Sequence, residues 1–183
     1  MDIEATRKNL ALRGKNGLGF LTSGLMIWVI ITIIFTLPIN VYEKSIFMLF
    51  ATGLMFPLSI GITNLIKADW KMEDNPLAPL GIYLNIAQVI YFPILFWAIG
   101  KSPEEAVIFF AIITSAHFFP YGWFYQAKSY TIMAPVMALV IMIIGWSIEP
   151  DNLWFIPLAM VILLSILIFW LTIDYNRQAK SNH

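Results

Sequence analysis

The charged side chains of this 183-residue chain leave six long intervals empty. No Lys, Arg, Asp or Glu falls in 16–42, 45–66, 75–100, 106–127, 129–148 or 152–173, and each interval holds at least 20 residues. At ~1.5 Å of rise per residue, about 20 residues of helix cross a ~30 Å hydrocarbon core. A backbone in hydrocarbon must satisfy its own hydrogen bonds, so apolar intervals of this length predict helices. The expected fold class is therefore all-α: a polytopic membrane protein with six transmembrane helices. The expected organisation is a basic N-terminal segment (1–15), a six-helix transmembrane domain (16–173) and a polar tail (174–183). The first apolar run is too long for a cleaved signal and is followed by no small-residue cleavage site.

Local signals place the helix ends. Asn16 reads as the N-cap of the first span, which stops at Pro38. Asn40 and Glu43 have capping-box spacing before the second. Asn75 and Pro76 read as cap and first turn of the third, and Ser102, Pro103 and Glu105 as the start of the fourth. Glu149 to Asn152 breaks and recaps the chain before the sixth. Every span carries a proline within it or at its edge: Pro38, Pro57, Pro93, Pro120, Pro135 and Pro157. These should kink their helices. Small residues four apart, Gly19 with Ser23 and Ala111 with Ser115, allow close helix approach, read here as packing within one chain.

Residues 2–15 carry Arg7, Lys8, Arg13 and Lys15 beside Ile3, Leu10 and Leu12. They read either as an amphipathic helix on the bilayer surface or as a frayed basic tail. With the N-terminus inside, nine basic residues face the cytoplasm against Lys44 and Lys101 outside. That bias predicts both termini in the cytoplasm, N-in and C-in. The expected location is a bacterial cytoplasmic membrane.

Composition agrees. Hydrophobic residues make up 60% and charged residues 12% of the chain, against about 25% charged in a soluble chain. Net charge is zero, which offers nucleic acid no electrostatic footprint. With no cysteine, disulfides, thiolate metal sites and a cysteine nucleophile are excluded.

His117 is the candidate centre. Apart from tyrosines, it is the one residue inside these intervals that titrates near neutral pH. Thr114, His117, Tyr121 and Tyr125 share a helical face, and Asn85 and Gln88 lie a turn apart on the third span. By helical rise His117 sits ~21 Å in from the outer end, and Asn85 and Gln88 ~14–18 Å in from the inner one. Such groups should point inward rather than into lipid. The expected ligand-binding set is thus Asn85, Gln88, Thr114, His117 and Tyr121. It is either a polar pocket open to the cytoplasm or an interhelical cluster that fixes packing. The aromatic residues near the span ends, Trp70, Trp123 and Trp146 among them, read as an interfacial belt.

Enzyme templates fail. Glu104 and Glu105 lack the Arg expected of an intramembrane CAAX-type protease and cap a helix instead. A single intramembrane His makes no metal site, and no nucleophile elbow or phosphate loop is present. No catalytic residue, metal or cofactor is expected.

The runs Gly53 to Pro57, Lys67 to Lys71, Asp74 to Pro76 and His117 to Trp123 resemble those of an uncharacterised family of small bacterial six-helix membrane proteins. That resemblance implies no activity. In size and helix number the chain is also similar to the substrate-binding subunits of energy-coupling-factor vitamin transporters. It lacks their alanine-rich docking spacing on the first helix, offering only Gly19 and Ser23. The expected function is solute or lipid binding or transport through the polar pocket. The alternatives are an accessory or sensor protein acting through the 67–74 loop, and a lipid-modifying enzyme. Expected partners are the bilayer, a small-molecule or lipid ligand, and a second copy or partner protein.

Overall fold

The computed structural model describes residues 2–180, all of whose regular structure is helical. A short helix α1 (Ile3–Arg13) leads through a tight turn at 15–17 into α2 (Leu18–Thr36). Then follow α3 (Val41–Thr52), α4 (Met55–Leu65), α5 (Ala78–Ile90) and α6 (Phe92–Lys101). The rest comprises α7 (Pro103–His117), α8 (Phe119–Phe124), α9 (Lys128–Ser147) and α10 (Phe155–Lys180). Among the described residues, five helical stretches are long and apolar enough to cross a membrane: Lys15–Thr36, Ala78–Lys101, Pro103–Phe124, Lys128–Ser147 and Phe155–Lys180. The pair α3–α4, bent by 42°, makes a sixth if it is counted as one span.

The breaks have a common cause. Phe56–Pro57, Phe92–Pro93 and Phe119–Pro120 each lie in the first turn of a new helix, at α4, α6 and α8. A proline ring lacks the N–H and clashes with the preceding turn, but fits the first turn of a helix. The chain therefore restarts at these points, as the proline pattern predicts. Pro135 sits inside α9 without dividing it.

Core packing is uneven. Leu164, Leu167 and Leu171 of α10 and Ile31 of α2 are fully buried, and α7 packs closely on α9. Two glycines set the closest approaches. A Cβ at Gly19 would collide with Thr63, and one at Gly122 with Thr131. Gly19 thus serves packing within the chain. By contrast α5 buries no side chain, and its main contacts are with α6 and α7.

Several expected caps differ. Asn16 does not cap α2. It lies in a left-handed turn (Lys15 φ 47°, Asn16 φ 53°, Gly17 φ 75°), fully buried, and Gly17 takes the cap position. Ser102 makes no side-chain cap bond. Asn75 does accept the Leu77 N–H at 3.0 Å, but α5 begins later, at Ala78. Asn40 caps α3, accepting from the Glu43 N–H at 2.9 Å. Residues 174–180 continue α10, and 181–183 lie outside the described residues.

Residues 3–13 form a capped helix docked on the bundle and are not frayed. Asp2 caps α1 through the Glu4 N–H, and Leu10 and Ala11 are fully buried against the protein. Gln126 donates to the Glu4 carbonyl and Gln178 to the Gln126 carbonyl, each at 3.2 Å. Both ends of the described chain therefore meet at one face of the bundle, here called the terminal face.

Candidate functional site

The α7–α8 break at Phe118 keeps His117 and Tyr121 on one side of a nearly continuous span. The His117 ring stands edge-on to Tyr121, with centroids 5.2 Å apart. Tyr121 stacks on Tyr125 at 5.9 Å, and Tyr125 on Tyr130 of α9 at 6.3 Å. Tyr130 Oη donates to the Asn16 carbonyl at 2.9 Å. An aromatic ladder thus runs from His117 to the strained turn at the terminal face.

One turn above His117, the buried Thr114 hydroxyl accepts from Gln88 Nε2 of α5 at 3.2 Å. Nearer the terminal face, α5 approaches α8, where a Cβ on Gly81 would stand 3.2 Å from the Phe124 ring. Gln88 and Thr114 therefore meet across the seam between α5 and α7, with His117 one turn on from Thr114 and in ring contact with Tyr121. Asn85 does not join them. It is exposed, and its amide donates to the Gly81 carbonyl of its own helix at 2.9 Å. An amide that closes on the previous turn spares itself part of the desolvation cost without an interhelical partner.

Two cavities lie elsewhere. One of about 30 Å³, room for about one water, lies at the Tyr125 end of the ladder, beside Gly14, Gly17, Thr63 and Met72. A shallow apolar groove of about 480 Å³ lies between the far ends of α9 and α10, walled by Ile143, Phe155, Leu158 and Ile162. None of the five expected ligand residues lines either space.

The terminal face holds a cluster that sequence reasoning missed. Arg13 bridges Asp69 and Asp74, the latter at 2.8 Å. Lys15 Nζ donates to the Ile66 carbonyl at 2.6 Å, and the Asp69 N–H to the Arg13 carbonyl at 2.9 Å. Asn75 donates to the Thr6 carbonyl at 3.1 Å. Arg7 donates to the Trp123 carbonyl at 2.6 Å and lies 4.4 Å over the Trp123 ring. Backbone N–H bonds from the Met72 turn, with the Arg13 side chain beside them, hold the Asp69 carboxyl below its usual range. The Arg13 hydrogen bond does the same for Asp74. These partners lie 56 and 61 residues apart in sequence. The one signal available was opposite charge on two polar segments predicted to share a membrane side.

Residues 3–174 match a family of unknown function (DUF7010). The chain belongs to that family. No curated protein and no solved structure matches it. Family membership covers nearly the whole chain and attaches no activity to it.

Proposed function

We propose that this DUF7010 protein binds a small polar or amphiphilic solute within the membrane, at the seam between α5 and α7–α8. The binding groups are Gln88, Thr114, His117 and Tyr121, with Asn85 on the neighbouring face of α5. The terminal face is cytoplasmic, as the basic-residue bias favours, and the membrane is a bacterial cytoplasmic one. What supports the reading is one juxtaposition. Gln88 reaches the buried Thr114 hydroxyl of α7 from α5, a helix with no buried side chain of its own. A seam closed by one hydrogen bond and loosely seated apolar groups opens at small cost, and an imidazole and a phenol inside it can donate to or accept from a ligand. The seam is closed here, so binding requires α5 to move away from α7.

The test is a thermal-shift screen of the detergent-purified full chain against polar metabolites and lipids. A ligand of the native state at about 100 times its Kd stabilises by ~2.7 kcal/mol. His117→Ala should abolish that shift while leaving the melting temperature of the unliganded protein nearly unchanged. A ligand shift that survives the substitution, or an unliganded protein that melts far lower, would make the seam packing alone. An accessory role through the 67–74 loop has less support, because Asp69, Met72 and the adjoining Asn75 are engaged within the chain.

A further inference from the structure

Every residue leading into α5 passes through the 66–77 segment, and α1 holds that segment at several points. Arg13 clasps Asp69 and Asp74, Lys15 grips the Ile66 carbonyl, and Asn75 binds the Thr6 carbonyl and Asn9 Oδ1. From its other side the same helix reaches the far wall of the seam. Arg7 bonds and stacks on Trp123 of α8, and the Glu4 carbonyl takes the Gln126 amide just beyond it. A single short helix is thus fastened both to α8 and to the segment that leads into α5.

The fastenings are of a reversible kind. Side-chain exposure is 32% at Arg13, 40% at Asp69 and 72% at Asp74, so water and salt reach the clasp. Exposed ion pairs contribute little to global stability and weaken with ionic strength. The apolar anchors of α1, Leu10 and Ala11, are fully buried, so the helix can stay docked when its charged edge lets go.

We infer that α1 is a latch. Its Arg13 clasp on Asp69 and Asp74 holds the lead-in to α5 and thereby keeps the α5–α7 seam shut; release of the clasp lets α5 swing out. The inference rests on the binding reading above for its purpose, but not for its test.

The chain has no native cysteine, so Leu84→Cys supplies a unique thiol on the half-buried face of α5, one turn before Gln88. Only a thiolate reacts readily with N-ethylmaleimide. Labelling therefore reports water reaching the seam. In low salt, labelling of the full-length Leu84→Cys protein should be slow. It should rise several-fold on raising salt to about 1 M, where the screening length falls to ~3 Å. The same rise should appear in low salt on adding Arg13→Gln or Asp74→Asn. Glu73→Gln, whose partner is Lys71 outside the clasp, should leave the rate unchanged. The salt series needs no charge substitution and keeps the test valid should Arg13→Gln fold poorly. Labelling indifferent to both salt and Arg13→Gln would overturn the latch. Ligand stabilisation persisting in that case would leave the seam standing as a binding site. Faster labelling with no ligand found would retain the latch and count against the binding reading alone.

Discussion

Two apolar spans of this protein behave in opposite ways. α10 aligns Leu164, Leu167 and Leu171 along one fully buried stripe packed chiefly on α2 and α9. α5 leaves Ile82, Tyr83, Val89 and Ile90 more than half exposed. The α5–α6 span is less apolar than the α10 span, yet a smaller share of it is buried within the protein. In water that order would be perverse. In a bilayer, lipid tails are as apolar as Leu, and helices associate through fit rather than through hydrophobicity. Hydropathy decides that both stretches cross the membrane. Side-chain shape decides which of them packs closely within the bundle.

The largest effect should come from cutting into the anchored stripe. Leu164→Ala removes a fully buried side chain and leaves a void, at a cost of ~2–5 kcal/mol by analogy with other close-packed cores. Ile90→Ala, at 69% exposure, should stay within about 0.5 kcal/mol. Unfolding of the two variants in mixed micelles measures both. An equal loss at Ile90 would mean that something covers α5 in the intact protein, a second copy of the chain being the first to test by cross-linking.

A smaller effect, of opposite sign at two glycines, sharpens the same contrast. The Cβ of Gly19→Ala runs into the Thr63 side chain and stands 3.0 Å from its Cα, where backbone must shift. Overpacking of this kind costs about 1–3 kcal/mol. At Gly61, also helical, no heavy atom lies within 4 Å of the added methyl. There Gly61→Ala should stabilise by about 0.5–1 kcal/mol through the reduced freedom of the unfolded chain. Melting temperatures moving in opposite directions would confirm that α2 and α4 touch at Thr63 and that the Gly61 face of α4 is open.

The contrast also explains what could be read from sequence. Gaps between charges locate the helices because burying a charge in hydrocarbon is costly wherever it falls, and Phe–Pro pairs mark the breaks because proline acts locally. Gln88 and Thr114 meet as inward-pointing polar groups should. Asn85 misleads for a local reason too: the Gly81 carbonyl one turn back satisfies its amide, so periodicity alone could not tell an inward face from a self-contained one. Asn16 is a similar case. Its place before an apolar run suggests a cap, yet three consecutive left-handed residues turn it into the protein, which no pattern of residue types announces. The clasp around Arg13 depends on contacts between segments far apart in the chain, and only the packed structure brings those together.

The smallest effect concerns acid and the loosely held side. Asp69 and Asp74 both titrate below the ordinary carboxylate value of 3.8, Asp69 chiefly through the Met72 N–H and Asp74 chiefly through Arg13. A carboxylate with a lowered folded-state pKa stabilises the folded form fully above its unfolded value, and the contribution disappears as pH falls through the lowered one. The clasp should therefore be indifferent to pH from 8 down to about 5 and loosen only below 3.8. A spin label at Glu73→Cys, on the exposed part of the 66–77 segment, measures this directly. Its mobility should stay flat across the neutral range and rise in strong acid, with Asp74→Asn raising it at all pH values. A rise already at pH 6, where both carboxylates are still ionised, would mean that a group outside the Arg13 clasp holds the segment.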